Sequence, residues 1–352
     1  MKKTVKLISL FLCIVLALGG LSACGKTTEP VTKPAVETDP TEKAAPAVET
    51  KVFRLGHVVA DGSAPDIGDK KFAELLEEYS GGSMKVEIYS SGTLGQNREL
   101  MEMLQTGALD FTHPTASVIS GFIDEAKILD LPYLFSSKEQ AESVLTGEIG
   151  QSILDALQSV NIVGLGWYSQ GWRNTTANVE IHTPADFAGI KIRTQDNAMH
   201  LDAFNAMGAS AIPMAFSEVY SGLQQHTIDA QENPYTNIYL NGYYEVQDYV
   251  IETQHVYDCI GFMMSKVTFD KLTAEEQEII RKAAAEACAF EREYVFEKDA
   301  ESKQAIIDSG KCTIVELTDE EREAFREAIQ SVYDKYADVV GAENLAKIMA
   351  MK

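Results

Sequence analysis

From Val52 onward, short apolar runs alternate with amphipathic stretches, and turn-forming residues separate them. Val52 to Val59 reads as a strand. Phe72, Leu75, Leu76 and Tyr79 then fall on one helical face before Gly81-Gly82 stops the run. Lys85 to Tyr89 alternates as a strand, Asn97 to Thr106 reads as a helix ended by Gly107, and Leu109-Asp110-Phe111 opens another strand. This β-α-β-α order predicts a mainly parallel sheet covered by helices. Asn161 to Tyr168 and Gly189 to Thr194 read as further buried strands, and Ile212 to Tyr220 passes from an extended piece into a helix.

Thr273 with Glu276 forms a capping box, after which helix formers run without Pro or Gly to Ser309, where Gly310 is the stop. A continuous helix over Ala274 to Ser309 is about 54 Å long at ~1.5 Å per residue. That exceeds one small domain, so it has to lie across two, unless a bend near Glu297–Ala300 divides it. A second capping box, Thr318 with Glu321, opens a terminal helix running towards Gly341.

The first residues follow a different rule. Lys2, Lys3 and Lys6 precede an apolar stretch from Leu7 to Leu18, too short for an ordinary membrane span and proportioned as a secretory signal. Leu21-Ser22-Ala23-Cys24 follows, with small residues before a thiol that lipid can alkylate. Residues 1–23 therefore resemble a bacterial lipoprotein signal, with Cys24 as the lipidated first residue of the exported chain. Residues 24–50, rich in Thr, Pro, Ala, Glu and Val without periodicity, read as a disordered tether.

Composition narrows the function. The 352 residues carry a formal charge of −23, which argues against a nucleic-acid binder and against a polybasic grip on lipid. The five cysteines show no CxxC and no ligand spacing, so neither a disulfide framework nor a structural zinc site is expected. The six histidines are scattered and none pairs at metal-ligand spacing; no metal and no cofactor is expected. GxSxG, HExxH, Walker and GxGxxG patterns are missing, and Gly164-Leu165-Gly166 lacks the third glycine of a dinucleotide turn. Nothing in the sequence supports an enzyme.

The arginines are more informative. Between Arg98 and Arg281 the chain has only Arg173, in Gly171-Trp172-Arg173 just after a strand, and Arg193, at the end of Ile190-Lys191-Ile192-Arg193. Cations at strand ends of an α/β sheet sit where such folds open a ligand crevice, and a guanidinium matches the two oxygens of a carboxylate. The bland alternative is structural pairing with acids such as Asp186 or Asp196.

Gly189-Ile190-Lys191-Ile192-Arg193, Met207-Gly208-Ala209, Pro213 to Tyr220, Leu223-Gln224 and Ile228 to Pro234 together resemble the signature of DctP-type extracytoplasmic solute-binding proteins of TRAP transporters. Leu55-Gly56-His57, Leu94-Gly95, Gly107 to Phe111 and Leu131-Pro132-Tyr133 agree, so the resemblance runs from about Val52 to the C-terminus.

The resemblance implies an α/β, two-lobed periplasmic-binding-protein-like clamp with hinge crossovers and a long helix spanning both lobes. Residues 51–168 plus 258–297 would form lobe I, and residues 169–257 plus 298–352 lobe II. It implies that Arg193 makes a bidentate carboxylate contact, Arg173 a second basic contact, Asn233 fixes the carboxylate, and Phe216 packs on the ligand. Thr115 stands where sialic-acid receptors have glutamate, which argues against sialic acid. Ala230 replaces the usual glycine, and His57 lies on a strand whose end borders the cleft. The expected partners are a small carboxylate, the TRAP permease subunits and the membrane through Cys24, on the outer face of the cytoplasmic membrane. A hexuronate or related sugar acid is the first choice of ligand, for Thr115 and for Gln170, Asn174, Gln195 and Asn197 near the arginines. A C4-dicarboxylate follows. An exported hydrolase or a sensing module for a signalling receptor are the other classes, separable by turnover of the bound acid and by pull-down with permease or sensor.

Overall fold

The computed structural model describes residues 50–351; the signal, Cys24 and the tether up to residue 49 lie outside the described residues. Nine strands form one sheet: β1 (Lys51–Gly56), β2 (Met84–Tyr89), β3 (Phe111–Thr112), β4 (Ile162–Ala177), β5 (Lys191–Thr194), β6 (Ser210–Pro213), β7 (Ala230–Asn233), β8 (Tyr249–Ser265) and β9 (Thr313–Val315). Their order is β2-β1-β3-β8-β4-β7-β5-β6, with β9 beside β8.

The sheet is mixed, which corrects the expectation of a mainly parallel one. Its outer pairs are parallel: β1 with β2 and β3, and β5 with β6 and β7. Its centre is the antiparallel pair of the long strands β4 and β8. These two serve both halves of the sheet, the β2-β1-β3 half and the β7-β5-β6 half. The C-terminal end of β8 pairs with β3 and its N-terminal end with β9, while the C-terminal end of β4 pairs with β7. Register shifts between Gly164 and Gly166, Ser169 and Trp172, and Arg173 and Thr175 bend the pair as it passes between the halves.

Ala274–Ser309 is one continuous helix of 36 residues, capped by Thr273 and Glu276 and ended by Gly310 in the left-handed region. Ile280, Ala283, Ala284, Ala287 and Cys288 pack it into a core shared with Phe72, Phe111 and Phe262. Ile306 enters a separate core with Val219, Leu223, Tyr235 and Val250. The helix therefore spans both halves, as its length demands. The helix over Ala64–Tyr79 ends before Gly81 and Gly82, both at positive φ.

Boundaries differ in instructive ways. β1 stops at Gly56 and not at Val59, and the C-terminal helix after Thr318 is broken into Asp319–Ala328 and Gln330–Val340. β4 runs on to Ala177, so Arg173 lies inside a strand and not beyond its end. Among the described residues Cys259, Cys288 and Cys312 are free and buried, and no helix is long and apolar enough to cross a membrane.

Candidate functional site

A cavity of about 370 Å³ opens where the two halves meet. Val58, Val59, Gln96 to Arg98, His113, Thr115 and Val118 line it from one half; Arg193, Gln195, Asp196, Pro213 to Phe216, Asn233 and Asn237 line it from the other. The through-strands add Gln170, Arg173 and Ile260. Five of the six expected ligand residues thus share one cavity: Arg193, Arg173, Asn233, Phe216 and Thr115.

Arg193 projects from β5, one residue before the strand ends, and is 3 % exposed. Its Nε and Nη2 both donate to the Met214 carbonyl, at 3.0 and 2.8 Å. Nη1 is buried and has no partner. Burial pulls this guanidinium down to about 10, against the pull of Glu232, so it remains charged at neutral pH. A buried cation with a free donor edge is unfinished, and an anion completes it.

Arg173 is differently placed. Glu232 grips its Nε, its Nη1 donates to Asp258 at 2.6 Å, and its Nη2 donates to the Glu232 carboxylate at 2.8 Å. Although burial opposes it, Arg173 and His255 hold the Glu232 carboxyl well below the usual carboxylate range. Burial pushes Asp258 up despite Arg173. The acids suggested by sequence proximity are not its partners: Asp186 caps its own turn through Thr183, and Asp196 lines the cavity.

Asn233 donates to Gln231 at 2.6 Å and accepts from Asn237 at 3.1 Å, an amide chain that continues to Gln170. Thr115 donates to Gln195 Oε1 at 2.6 Å, joining the two halves, and leaves Gln195 Nε2 without a partner. Of the four polar residues expected near the arginines, Gln170 and Gln195 reach the cavity. Asn197 instead caps the helix over Ala198–Ala206 and donates to Asp130 at 2.7 Å, and Asn174 turns to the Trp172 carbonyl. His57 is not among the lining residues; it sits behind His113, the rings stacked at 4.8 Å.

Gln96, Asn97, Arg98 and Asn237 are lining residues that the sequence reading did not single out. Asn237 lies on the short helix Tyr235–Leu240 that follows β7, so strand and helix together bring it to Asn233; Gln96 to Arg98 open a helix just after the Gly92–Gly95 turn.

An α/β molecule whose halves share two through-strands, with a polar cavity at their junction, has the architecture of a solute-binding protein. The model for bacterial extracellular solute-binding proteins of family 7, DctP, matches residues 55–338, and the chain belongs to this family. It is 34% identical over 303 residues to the C4-dicarboxylate-binding periplasmic protein DctP of Rhodobacter capsulatus, covering 86% of this chain and 91% of the relative. Among solved structures it resembles the sugar acid binding protein DctPAm of Advenella mimigardefordensis in complex with galactonate, with TM-score 0.83 and 32% identity over 86% of this chain and 98% of that one. It also resembles a TRAP periplasmic solute binding protein of Sulfitobacter sp. NAS-14.1 with bound β-D-galacturonate, with TM-score 0.80 and 30% identity over 85% and 98% of the two chains.

Proposed function

We propose that this chain is the extracytoplasmic receptor of a TRAP transporter, tethered to the membrane through lipid on Cys24, and that it captures a sugar acid for the permease without transforming it. The observation that carries this reading is the buried Arg193 guanidinium, whose Nη1 has no partner beside a cavity of about 370 Å³. A ligand carboxylate takes Nη1 and the remaining Nη2 hydrogen, Asn233 and Arg173 flank it, and Phe216 covers an apolar face. Residues 51–168 plus 258–297 and residues 169–257 plus 298–352 act as lobes that close on the ligand, because its contacts come from both.

A hexuronate or related acid is favoured because Gln170, Gln195, Asn237 and Thr115 offer more polar groups than one carboxylate uses. A C4-dicarboxylate is the second reading. It is favoured by Arg98, a third arginine of the cavity, which lines it from the side opposite Arg193, and by the R. capsulatus relative.

A thermal-shift screen with D-glucuronate, D-galacturonate, D-galactonate, succinate and neutral sugars tests the choice. A sugar acid at a hundred times its Kd is expected to stabilise the protein by about 2.7 kcal/mol. A shift with neutral sugars and none with acids would overturn the reading, as would conversion of the bound acid seen by NMR.

A further inference from the structure

We propose that His57, Asp69 and His113 form a buried binding site for one divalent transition-metal cation of the zinc class, with Asp66 at its edge. The fold brings together residues that the sequence scatters. His57 directly follows β1 and His113 directly follows β3; these strands are parallel neighbours with Gly56 opposite Thr112, so the two imidazoles emerge side by side. Asp66 and Asp69 stand one helical turn apart near the start of the helix over Ala64–Tyr79 and face the rings.

One ligand atom from each of His57, Asp69 and His113 lies within 4.8 Å of the others. His57 Nε2 is 3.6 Å from Asp69 Oδ2 and 3.3 Å from Asp66 Oδ1, and His113 Nε2 is 2.8 Å from Asp69 Oδ2. Neighbouring donors on a tetrahedral ion with bonds of ~2.1 Å stand about 3.4 Å apart, so small adjustments admit a cation. Two imidazoles with carboxylate suit zinc and its neighbours better than magnesium or calcium.

The second observation is the set of unpartnered atoms. Asp69 Oδ1 is buried without a hydrogen bond, His57 Nε2 and Asp66 Oδ1 have no hydrogen bond beyond their own 3.3 Å approach, and none of the four residues is more than 4 % exposed. Lys70 neutralises Asp66 at 2.7 Å, but His113 is the partner of Asp69 at 2.8 Å and brings no fixed charge. A dication supplies the missing charge and takes the free lone pairs. Its route in runs past His113, which also lines the cavity. The inference does not depend on the ligand proposed above.

Chelator-stripped protein dialysed against Zn²⁺ and analysed for metal is expected to retain one equivalent. His182, exposed between Glu180 and Glu321 at 2.9 and 2.8 Å, is the control: His182→Ala is expected to keep the equivalent. Asp69→Asn and His113→Gln are expected to weaken it at least ~10-fold. Paramagnetic resonance of the Cu²⁺-loaded wild type decides if those variants do not fold, with coupling to two nitrogens expected. No retained equivalent, its loss in His182→Ala, or coupling to one nitrogen or none would overturn the site.

Discussion

Two arginines in the same cavity do opposite work. Arg173 is closed off by Glu232 and Asp258, residues 59 and 85 positions away in the chain, and Arg193 by a single carbonyl that leaves Nη1 free. The scarcity of arginine in mid-chain points to both in the sequence. Which one is free is not legible there, because the neutralising acids come from β7 and β8, far away in sequence.

Buried carboxylates carry a separate consequence. Burial pushes Asp299 up to about 7, against hydrogen bonds from the Thr236 N–H and hydroxyl. Between about pH 4 and pH 7 the native chain therefore holds a proton that the unfolded chain has lost, and this group's contribution to stability falls as pH rises. Asp299→Asn keeps an acceptor for Thr236 and cannot ionise. Relative to wild type, its urea-unfolding free energy is expected to rise by about 1–3 kcal/mol between pH 5 and pH 8, at ~1.4 kcal/mol per pKa unit. Parallel pH profiles would contradict the assignment.

At the scale of elements, both ends of the long helix were legible, while its continuity through Glu297–Ala300 was settled only by the fold. A capping box, an unbroken run of helix formers and a terminal glycine are local signals, and they fixed both ends of Ala274–Ser309. β8 was not legible, since Glu252, His255 and Asp258 interrupt its apolar pattern although all three are buried. Their partners are tertiary: Glu252 accepts from Tyr235, His255 meets Glu232, and Asp258 meets Arg173. The extension of β4 past Tyr168 was hidden by its register shifts and by Gly171 at positive φ.

Close docking of the helix over Ala64–Tyr79 on the long helix depends on Gly68. A Cβ there would stand 2.9 Å from Glu291 Cγ and 3.1 Å from Tyr168 Cζ. Gly68→Ala is expected to cost about 1–3 kcal/mol in chemical denaturation despite its better helix propensity. A stabilised variant would mean that the two helices stand further apart.

For the whole molecule, the resemblance carried by residues 189–234 led to the family, and the family model covers residues 55–338. The site follows from topology: two antiparallel through-strands place β5, β7 and the segment after β3 around one cavity, and hydrogen bonds from Thr115 to Gln195 and from Asn197 to Asp130 tie its sides together. Strand pairings of this kind couple distant segments, so a linear pattern reveals the elements and leaves their meeting point to the fold.

Isothermal calorimetry of wild type and Arg193→Lys, with the acid that gives the largest thermal shift, tests the central claim most directly. Lysine keeps the charge and loses the fork, so affinity is expected to fall ~10–100-fold. Equal affinity in the two proteins would contradict the claim that this guanidinium holds the ligand.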